Sequence, residues 1–142
     1  YRMLHIGDKD GYIRVFDDTA KTDDVISSLE PIAAQMLVGP LPMSKTGASE
    51  AMCTRLNITP AKGTDGANYQ IFVGKTAEDI IEAVEQAMPQ SRISGIIGNV
   101  LKITRPRARG AYFAIRIYSD GGVHTWAIDN LSGEFVGLGR VL

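Results

Sequence analysis

Two stretches of this chain repeat one pattern: Tyr12-Ile-Arg-Val-Phe16 is followed by Lys21-Thr-Asp-Asp-Val-Ile26, and Tyr69-Gln-Ile-Phe-Val73 is followed by Lys75-Thr-Ala-Glu-Asp-Ile-Ile81. In each, a β-favouring run precedes a Lys-Thr pair and then residues typical of an amphipathic helix. Two strand-then-helix units can lay their helices side by side on one face of a shared sheet. The repeat therefore predicts architecture and says little about chemistry.

Two helices follow directly from the repeat. Thr22 can cap the first, which Pro31 either kinks or divides. Its apolar residues follow the i, i+3, i+4 spacing of one buried stripe: Val25, Ile26, Leu29, Ile32, Ala33 and Met36. Thr76 and Asp79 have the spacing of a capping box for the second helix, which Pro89 should close. Its apolar face consists of Ile80, Ile81, Val84, Ala87 and Met88.

Residues 91–103 are ambiguous but favour a third helix. Helical spacing is kept by Ile93, Ile96, Ile97, Val100 and Leu101. The two glycines in this segment weaken a helix by about 1 kcal/mol each relative to alanine.

The remaining segments are typical of strands and loops. Residues 2–6 and 12–16 predict a hairpin around a Gly- and Asp-rich turn, and residues 52–59 predict a strand. From Ala111 onward the pattern is a β-meander, with strands over residues 112–118, 123–128 and 134–136 and turns at Asp120-Gly121 and Ser132-Gly133. Residues 39–47 and 61–68 have the Pro and Gly content of surface loops.

These elements predict an α+β fold over residues 1–142 as one globular domain. We expect a two-layer sandwich, mainly an antiparallel sheet with two or three helices packed on one face, and a split β-α-β arrangement is one version of it.

Composition places the chain among soluble globular proteins. It has 142 residues, of which 44% are hydrophobic and 22% charged, and a formal net charge of -1. A chain of this length can bury roughly two thirds of its unfolded surface without disulfides or metals. No run approaches the ~20 apolar residues of a membrane-spanning helix, so we expect no transmembrane segment.

Cellular compartment remains open at the sequence level. The single cysteine, Cys53, excludes an intramolecular disulfide, and its setting is that of a small buried residue more than of a nucleophile, although Arg55 nearby could favour a thiolate. The chain opens at Tyr1 rather than Met, which fits a mature form left by removal of a leader as well as a trimmed chain. Asn57-Ile-Thr59 matches the glycosylation acceptor pattern, which matters only in a secretory pathway.

The charge distribution is the best indication of function. Residues 86–119 contain no acidic residue, whereas residues 1–50 carry eight acids and five bases. The bases of residues 86–119 are Arg92, Lys102, Arg105, Arg107, Arg109 and Arg116. Residues 105–109, here called the basic segment, should be exposed because Pro106 interrupts strand pairing and three guanidiniums resist burial.

We expect the basic segment to bind an anionic partner, with Arg105, Arg107 and Arg109 as the contacts and Lys102 and Arg116 in support. The partner could be an acidic protein, acidic lipid headgroups or nucleic acid, with Tyr112, Tyr118 or Trp126 available for base stacking. Nucleic acid is not favoured, because the sequence pI is near 6.1. An acidic N-terminal region and a basic segment also suggest self-association into a homo-oligomer.

Two near-matches to the phosphate-binding P-loop support an enzymatic alternative. Residues 39–46 end in Lys45-Thr46 but have Ser44 at the second glycine position and two prolines that remove amide donors. Lys75-Thr76 follows Gly74 between a strand and a helix, yet the first glycine is missing. Either Lys-Thr pair could attract phosphate at a helix start, although capping explains the same residues more simply.

No other residues suggest a catalytic or metal site, and no cofactor is expected. His5 and His124 have no carboxylate at a telling spacing, and the pairs Asp17-Asp18 and Asp23-Asp24 are better explained by turns and a helix start. We therefore expect a binding domain rather than an enzyme. The alternatives are a secreted effector or toxin-like domain acting on a membrane or receptor, and a phosphate- or nucleotide-handling enzyme.

Overall fold

The structure is a computed structural model, and it describes residues 5–7, 13–15, 22–25, 28–31, 34–45, 49–86, 93–119 and 125–141. These residues form strands and one helix. In chain order the elements are β1 His5–Gly7, β2 Ile13–Val15, β3 Thr22–Val25, β4 Ser28–Pro31, β5 Gln35–Pro42, β6 Ser49–Pro60, β7 Ala67–Gly74, α1 Ala77–Glu85, β8 Ile93–Ile97, β9 Lys102–Thr104, β10 Ala108–Gly110, β11 Tyr112–Tyr118 and β12 Ile128–Val141.

The predicted fold class is wrong. In place of one sheet carrying two or three helices, the described residues are mostly antiparallel sheet with the single short helix α1. A split β-α-β arrangement is wrong as well, because α1 connects β7 to β8 and these two strands pair antiparallel. A β-α-β unit requires its two strands to be parallel.

Two four-stranded sheets make up most of the fold. The first has the order β5-β11-β7-β8. In the second, β6 is central: β12 pairs with one side of it, while β9 and β10 pair with the other. Two separate hairpins, β1–β2 and β3–β4, complete the strands, and β1–β2 corresponds to the predicted N-terminal hairpin.

The main hydrophobic core draws its side chains from both sheets. Alternate residues of β11 (Phe113, Ile115 and Ile117) belong to the same buried cluster as Cys53 and Ile58 of β6. Successive side chains of a strand point to opposite faces, so each sheet buries one face in this cluster. Full burial of such an aliphatic side chain stabilises the fold by about 1.5–3 kcal/mol.

Helix α1 covers part of the other face of the first sheet, and the predicted helix with its capping box is confirmed. Ile81, predicted on its apolar face, is exposed. Ile80 and Ala83 pack on Phe72 and Ala114 in a second, smaller cluster. Thr76 is the N-cap, and its hydroxyl accepts a hydrogen bond from the Asp79 N–H at 3.2 Å. The Asp79 carboxylate in turn accepts one from the Thr76 N–H at 3.0 Å. The predicted C-terminal residues of this helix, Ala87, Met88 and Pro89, lie outside the described residues.

The predicted first helix is wrong. Val25 lies in β3 and Leu29 in β4, two strands that pair antiparallel, and Met36 lies in β5. The other residues of the predicted stripe, Ile26, Ile32 and Ala33, lie outside the described residues. A proline inside a helix removes a hydrogen bond and clashes with the preceding turn, at about 3 kcal/mol, whereas Pro31 ends a strand. Asp23 and Asp24 consequently lie in β3 and not at a helix start.

The predicted third helix is also wrong, because residues 93–97 and 102–104 are strands β8 and β9. Ile93 and Ile97 pair with Ile71 and Ala67 of β7. Gly95 lies opposite Tyr69 and under its ring, where an added Cβ would lie 2.7 Å from Tyr69 Cε1. Tertiary pairing with a partner strand outweighs helical spacing here.

Several loop and strand bounds differ from those predicted. Strand β6 contains the predicted residues 52–59, and β11 matches residues 112–118. The predicted loop over residues 39–47 is strand up to Pro42. The predicted turn at Ser132-Gly133 is wrong, since both residues lie inside β12, which begins at Ile128. The Asp120-Gly121 turn lies outside the described residues.

Loop 61–66 is attached to the segment that leads into β12. The buried Thr64 hydroxyl donates a hydrogen bond to the Ala127 carbonyl at 3.1 Å and accepts one from the Ala127 N–H at 3.3 Å. The Thr125 N–H donates to the Asp65 carboxylate at 2.7 Å. These bonds hold the loop and the start of β12 together.

Candidate anion-binding site

The basic segment lies along one side of strand β6. Strands β9 and β10 both pair with that side, with Thr104 opposite Leu56 and Ala108 opposite Cys53. Residues 105–107 form the connection between them. Backbone pairing on both flanks therefore holds the segment beside β6.

All three predicted arginine contacts are exposed. Arg105, Arg107 and Arg109 are exposed, and the intervening Pro106 and Ala108 are half-buried. Arg109 pairs with Met52, between the buried Ala51 and Cys53, so it belongs to the face of the second sheet that points away from the core. Arg107 has a φ of 49°, which is uncommon outside glycine, and it lies in the connection through which the chain continues along β6 from β9 to β10.

Among the described residues, none of these three guanidiniums forms an ion pair. The contrast is Arg55 on the same outer face, whose guanidinium lies 3.7 Å from the Glu134 carboxylate and whose Nε donates to the Asn57 side chain at 3.0 Å. Asn57 donates in turn to the Ser132 hydroxyl at 3.3 Å. Arg55 is engaged within the protein, whereas Arg105, Arg107 and Arg109 keep their donors available.

Positive charge dominates this part of the chain. Residues 93–119 contain no carboxylate side chain, and arginine remains protonated at every physiological pH. A guanidinium offers five N–H donors in a planar fork that matches carboxylate or phosphate oxygens bidentately. The segment can therefore bind an anion without first breaking an internal ion pair.

The two supporting residues do not join this cluster equally. Lys102 lies in β9 opposite Ile58 and is half-buried at the same side of β6. Arg116 lies in β11 between the buried Ile115 and Ile117, so its side chain is on the outer face of the first sheet. The outer faces of the two sheets point in opposite directions, which separates Arg116 from Arg109.

Arg116 interacts with its own sheet. Its guanidinium lies 4.8 Å from the centre of the Tyr118 ring, a cation–π contact. Its Nε is buried and has no hydrogen-bond partner among the described residues.

The aromatic residues proposed for base stacking lie away from the basic segment. Tyr112 packs against the small cluster under α1, and Trp126 packs half-buried against the main core. Tyr118 lies beneath Arg116 on the first sheet. None of them projects from the outer face of the second sheet.

The Lys75-Thr76 pair is explained by helix capping. The Asp79 carboxylate accepts hydrogen bonds from the N–H groups of Thr76 and Lys75, at 3.0 and 3.2 Å, and so occupies the place where an anion would bind. The Thr76 N–H bond is the main cause that lowers the pKa of Asp79 from its ordinary 3.8. Lys45 is exposed in the turn after β5, and Thr46 lies outside the described residues.

Cys53 is a core residue in this structure. It is fully buried, and its thiol contacts the Arg55 carbonyl oxygen, with 3.6 Å between sulfur and oxygen. Burial raises the pKa of Cys53 from 9.0 to about 11. A thiol that is both protonated and inaccessible is a poor nucleophile.

The described ranges contain no group of three or more His, Cys, Asp or Glu side chains arranged to hold a metal ion. Of the candidate histidines, His5 lies in β1 and His124 lies outside the described residues. The part of the chain that the structure describes also has no helix with the length and apolar character needed to cross a bilayer.

Sequence reasoning missed the apolar residues beside the basic segment. Val100, Leu101 and Ile103 are all exposed. The spacing of Val100 and Leu101 predicted only a helix in this segment. A sequence signal was available, since Val100-Leu101 directly precedes Lys102 in a stretch without acids.

Comparisons of the chain with protein-family models, with curated protein sequences and with solved structures found no match.

Proposed function

We propose that this protein is a binding domain that engages an anionic partner through Arg105, Arg107 and Arg109. One observation carries the proposal: three arginines within five residues are exposed and form no ion pair among the described residues. Unpaired guanidiniums held close together raise the local positive potential and attract anions.

The backbone around these arginines favours binding. Strands β9 and β10 are paired with β6 on both sides of the segment, so its position is set before any partner arrives. Groups that are already in position lose less entropy on binding than those of a free loop.

Retention on heparin, a soluble polyanion, tests the proposal. Reversing the charge of Arg105, Arg107 and Arg109 to Glu should abolish retention without changing the thermal unfolding midpoint, because all three side chains are exposed. Wild-type retention should fall as salt rises, since each contact releases counterions. Retention of the reversed variant at the wild-type salt concentration would reject the site.

Two single substitutions that change the net charge equally provide a control. Arg105→Glu and Lys62→Glu each replace an exposed cation by an anion. We expect Arg105→Glu to weaken heparin binding at least about fivefold and Lys62→Glu to weaken it less than about twofold. Equal effects would mean that overall charge, and not the basic segment, causes the binding.

A further inference from the structure

Exposed apolar side chains are concentrated immediately before the basic segment. Ile96 and Val100 are each 69% exposed, Leu101 is 52% and Ile103 is 47% exposed. These are four of the nine large hydrophobic side chains that the structure describes as exposed, and they lie within eight residues. Such clustering marks an interaction surface more often than scattered exposure does.

Val100 and Leu101 lie in a loop that projects from the fold, whereas Ile96 and Ile103 lie in the strands on either side of it. Residues 98–101, here called the apolar loop, join β8 at the edge of the first sheet to β9 in the second. All four of its residues are exposed, and a Cβ added to Gly98 would have nothing within 4 Å. The loop therefore extends away from neighbouring elements.

Apolar and cationic side chains adjoin along one side of β6. Ile103 pairs with Asn57 and Arg109 pairs with Met52, so both belong to the outer face of the second sheet. Their partners are five residues apart on β6, or roughly 16 Å at the rise of a strand. Lys102, Arg105 and Arg107 lie between them in sequence, and no carboxylate interrupts the stretch.

We propose that the apolar loop and the basic segment together dock the protein on the surface of an anionic lipid bilayer. The inference rests on the proposed function and narrows its anionic partner to a membrane. Exposed aliphatic side chains enter the boundary between headgroups and acyl chains, while neighbouring Lys and Arg attract anionic headgroups. The positive charge of the basic segment is complementary to the anionic headgroups, and the apolar side chains of the apolar loop are complementary to the acyl chains.

The side chains at this site distinguish a bilayer from nucleic acid. Single-stranded nucleic acid is held by aromatic stacking platforms. The exposed apolar side chains at this site are instead all aliphatic: Ile96, Val100, Leu101 and Ile103. Tyr112, Tyr118 and Trp126 are engaged elsewhere. Val100 and Leu101 have no role on a phosphate backbone but fit a hydrocarbon boundary.

Vesicle flotation with the whole chain tests the inference. Vesicles of phosphatidylcholine alone are compared with vesicles containing about 30% phosphatidylglycerol, at about 0.1 M and about 0.5 M NaCl. The wild type should float only with the anionic vesicles. The double variant Val100→Ser, Leu101→Ser should lower the partition coefficient at least about tenfold, because the apolar contribution is lost while all charges remain.

A matched variant, Leu37→Ser with Ile81→Ser, replaces two exposed apolar side chains on the other outer face of the fold and should partition like the wild type. Thermal unfolding of each variant checks that it is folded. Heparin is anionic but has no acyl chains. The variant Val100→Ser, Leu101→Ser should therefore bind heparin as the wild type does.

The outcomes separate this inference from the proposed function. Wild-type binding to heparin without binding to anionic vesicles overturns the bilayer inference and leaves the anionic-partner proposal standing. Vesicle binding that the Val100, Leu101 variant retains also overturns it, because charge alone would then suffice. Failure to bind either heparin or vesicles overturns both.

Discussion

At the residue scale, close packing decides which side chains the fold accepts, and Gly95 is the sharpest example. It lies opposite Tyr69, whose ring is almost fully buried and covers the glycine. An added Cβ would lie 2.7 Å from one ring carbon and 2.8 Å from the hydroxyl oxygen. A glycine that weakens a helix thus allows an aromatic side chain to pack across two strands.

Gly95→Ala should lower the free energy of unfolding by about 1–3 kcal/mol, the usual range for overpacking a core. Gly98→Ala is the matched control, because its added methyl would meet open space, and we expect a change within about 0.5 kcal/mol. Urea denaturation measures both. Equal stabilities for the two variants would contradict the packing of Tyr69 over Gly95.

At the element scale, the strength of local signals explains which predictions succeeded. Helix α1 could be predicted because its capping box is complete within four residues. Residues 93–97 could not, because their pairing with β7 is a contact between segments distant in sequence. The exposure of Arg105, Arg107 and Arg109 followed from charge and Pro106 alone. The separation of Arg116 from these three arginines could not be predicted from the sequence, because it depends on which sheet each strand joins.

Thr76→Ala should destabilise the protein by about 1 kcal/mol, because the N-cap hydroxyl that accepts the Asp79 N–H is lost. Thr76→Ser keeps this hydroxyl and should retain most of the stability. Urea denaturation followed by circular dichroism provides the measurement. If Thr76→Ser loses as much stability as Thr76→Ala, the capping bond does not contribute.

At the scale of the whole molecule, stability depends on keeping the core between the two sheets free of charge. Cys53 contributes a titratable thiol to that core. It lies on β6, whose one side pairs with β9 and β10 and whose other side pairs with β12. Ionising it would leave a thiolate buried among aliphatic side chains, which is unfavourable.

The pKa of Cys53, about 11 in the folded protein against 9.0 ordinarily, predicts a pH dependence of unfolding. Because folding raises this pKa, the contribution of the neutral thiol is complete below pH 9 and is lost as the pH rises through about 11. Once the pH exceeds the folded pKa, the lost stability amounts to roughly 3 kcal/mol, since each pKa unit corresponds to about 1.4 kcal/mol.

Comparison with Cys53→Ala isolates this effect from the titration of lysines and tyrosines. Wild type should lose more stability than the variant between pH 9 and 11 in urea denaturation. Parallel curves for the two proteins would contradict the raised pKa. In the same range, a thiol reagent should label folded wild type far more slowly than urea-unfolded protein.

The pairing of β6 with β12 has a consequence for the order of folding. Ser49 pairs with Val141 and Thr59 with Asn130, so the second sheet closes one of the longest loops in the chain. Closure of such loops slows folding and delays the sheets that need them. While a ribosome is still synthesising the chain, one edge of β6 therefore has no partner, and its backbone N–H and C=O groups stay accessible to chaperones until β12 emerges.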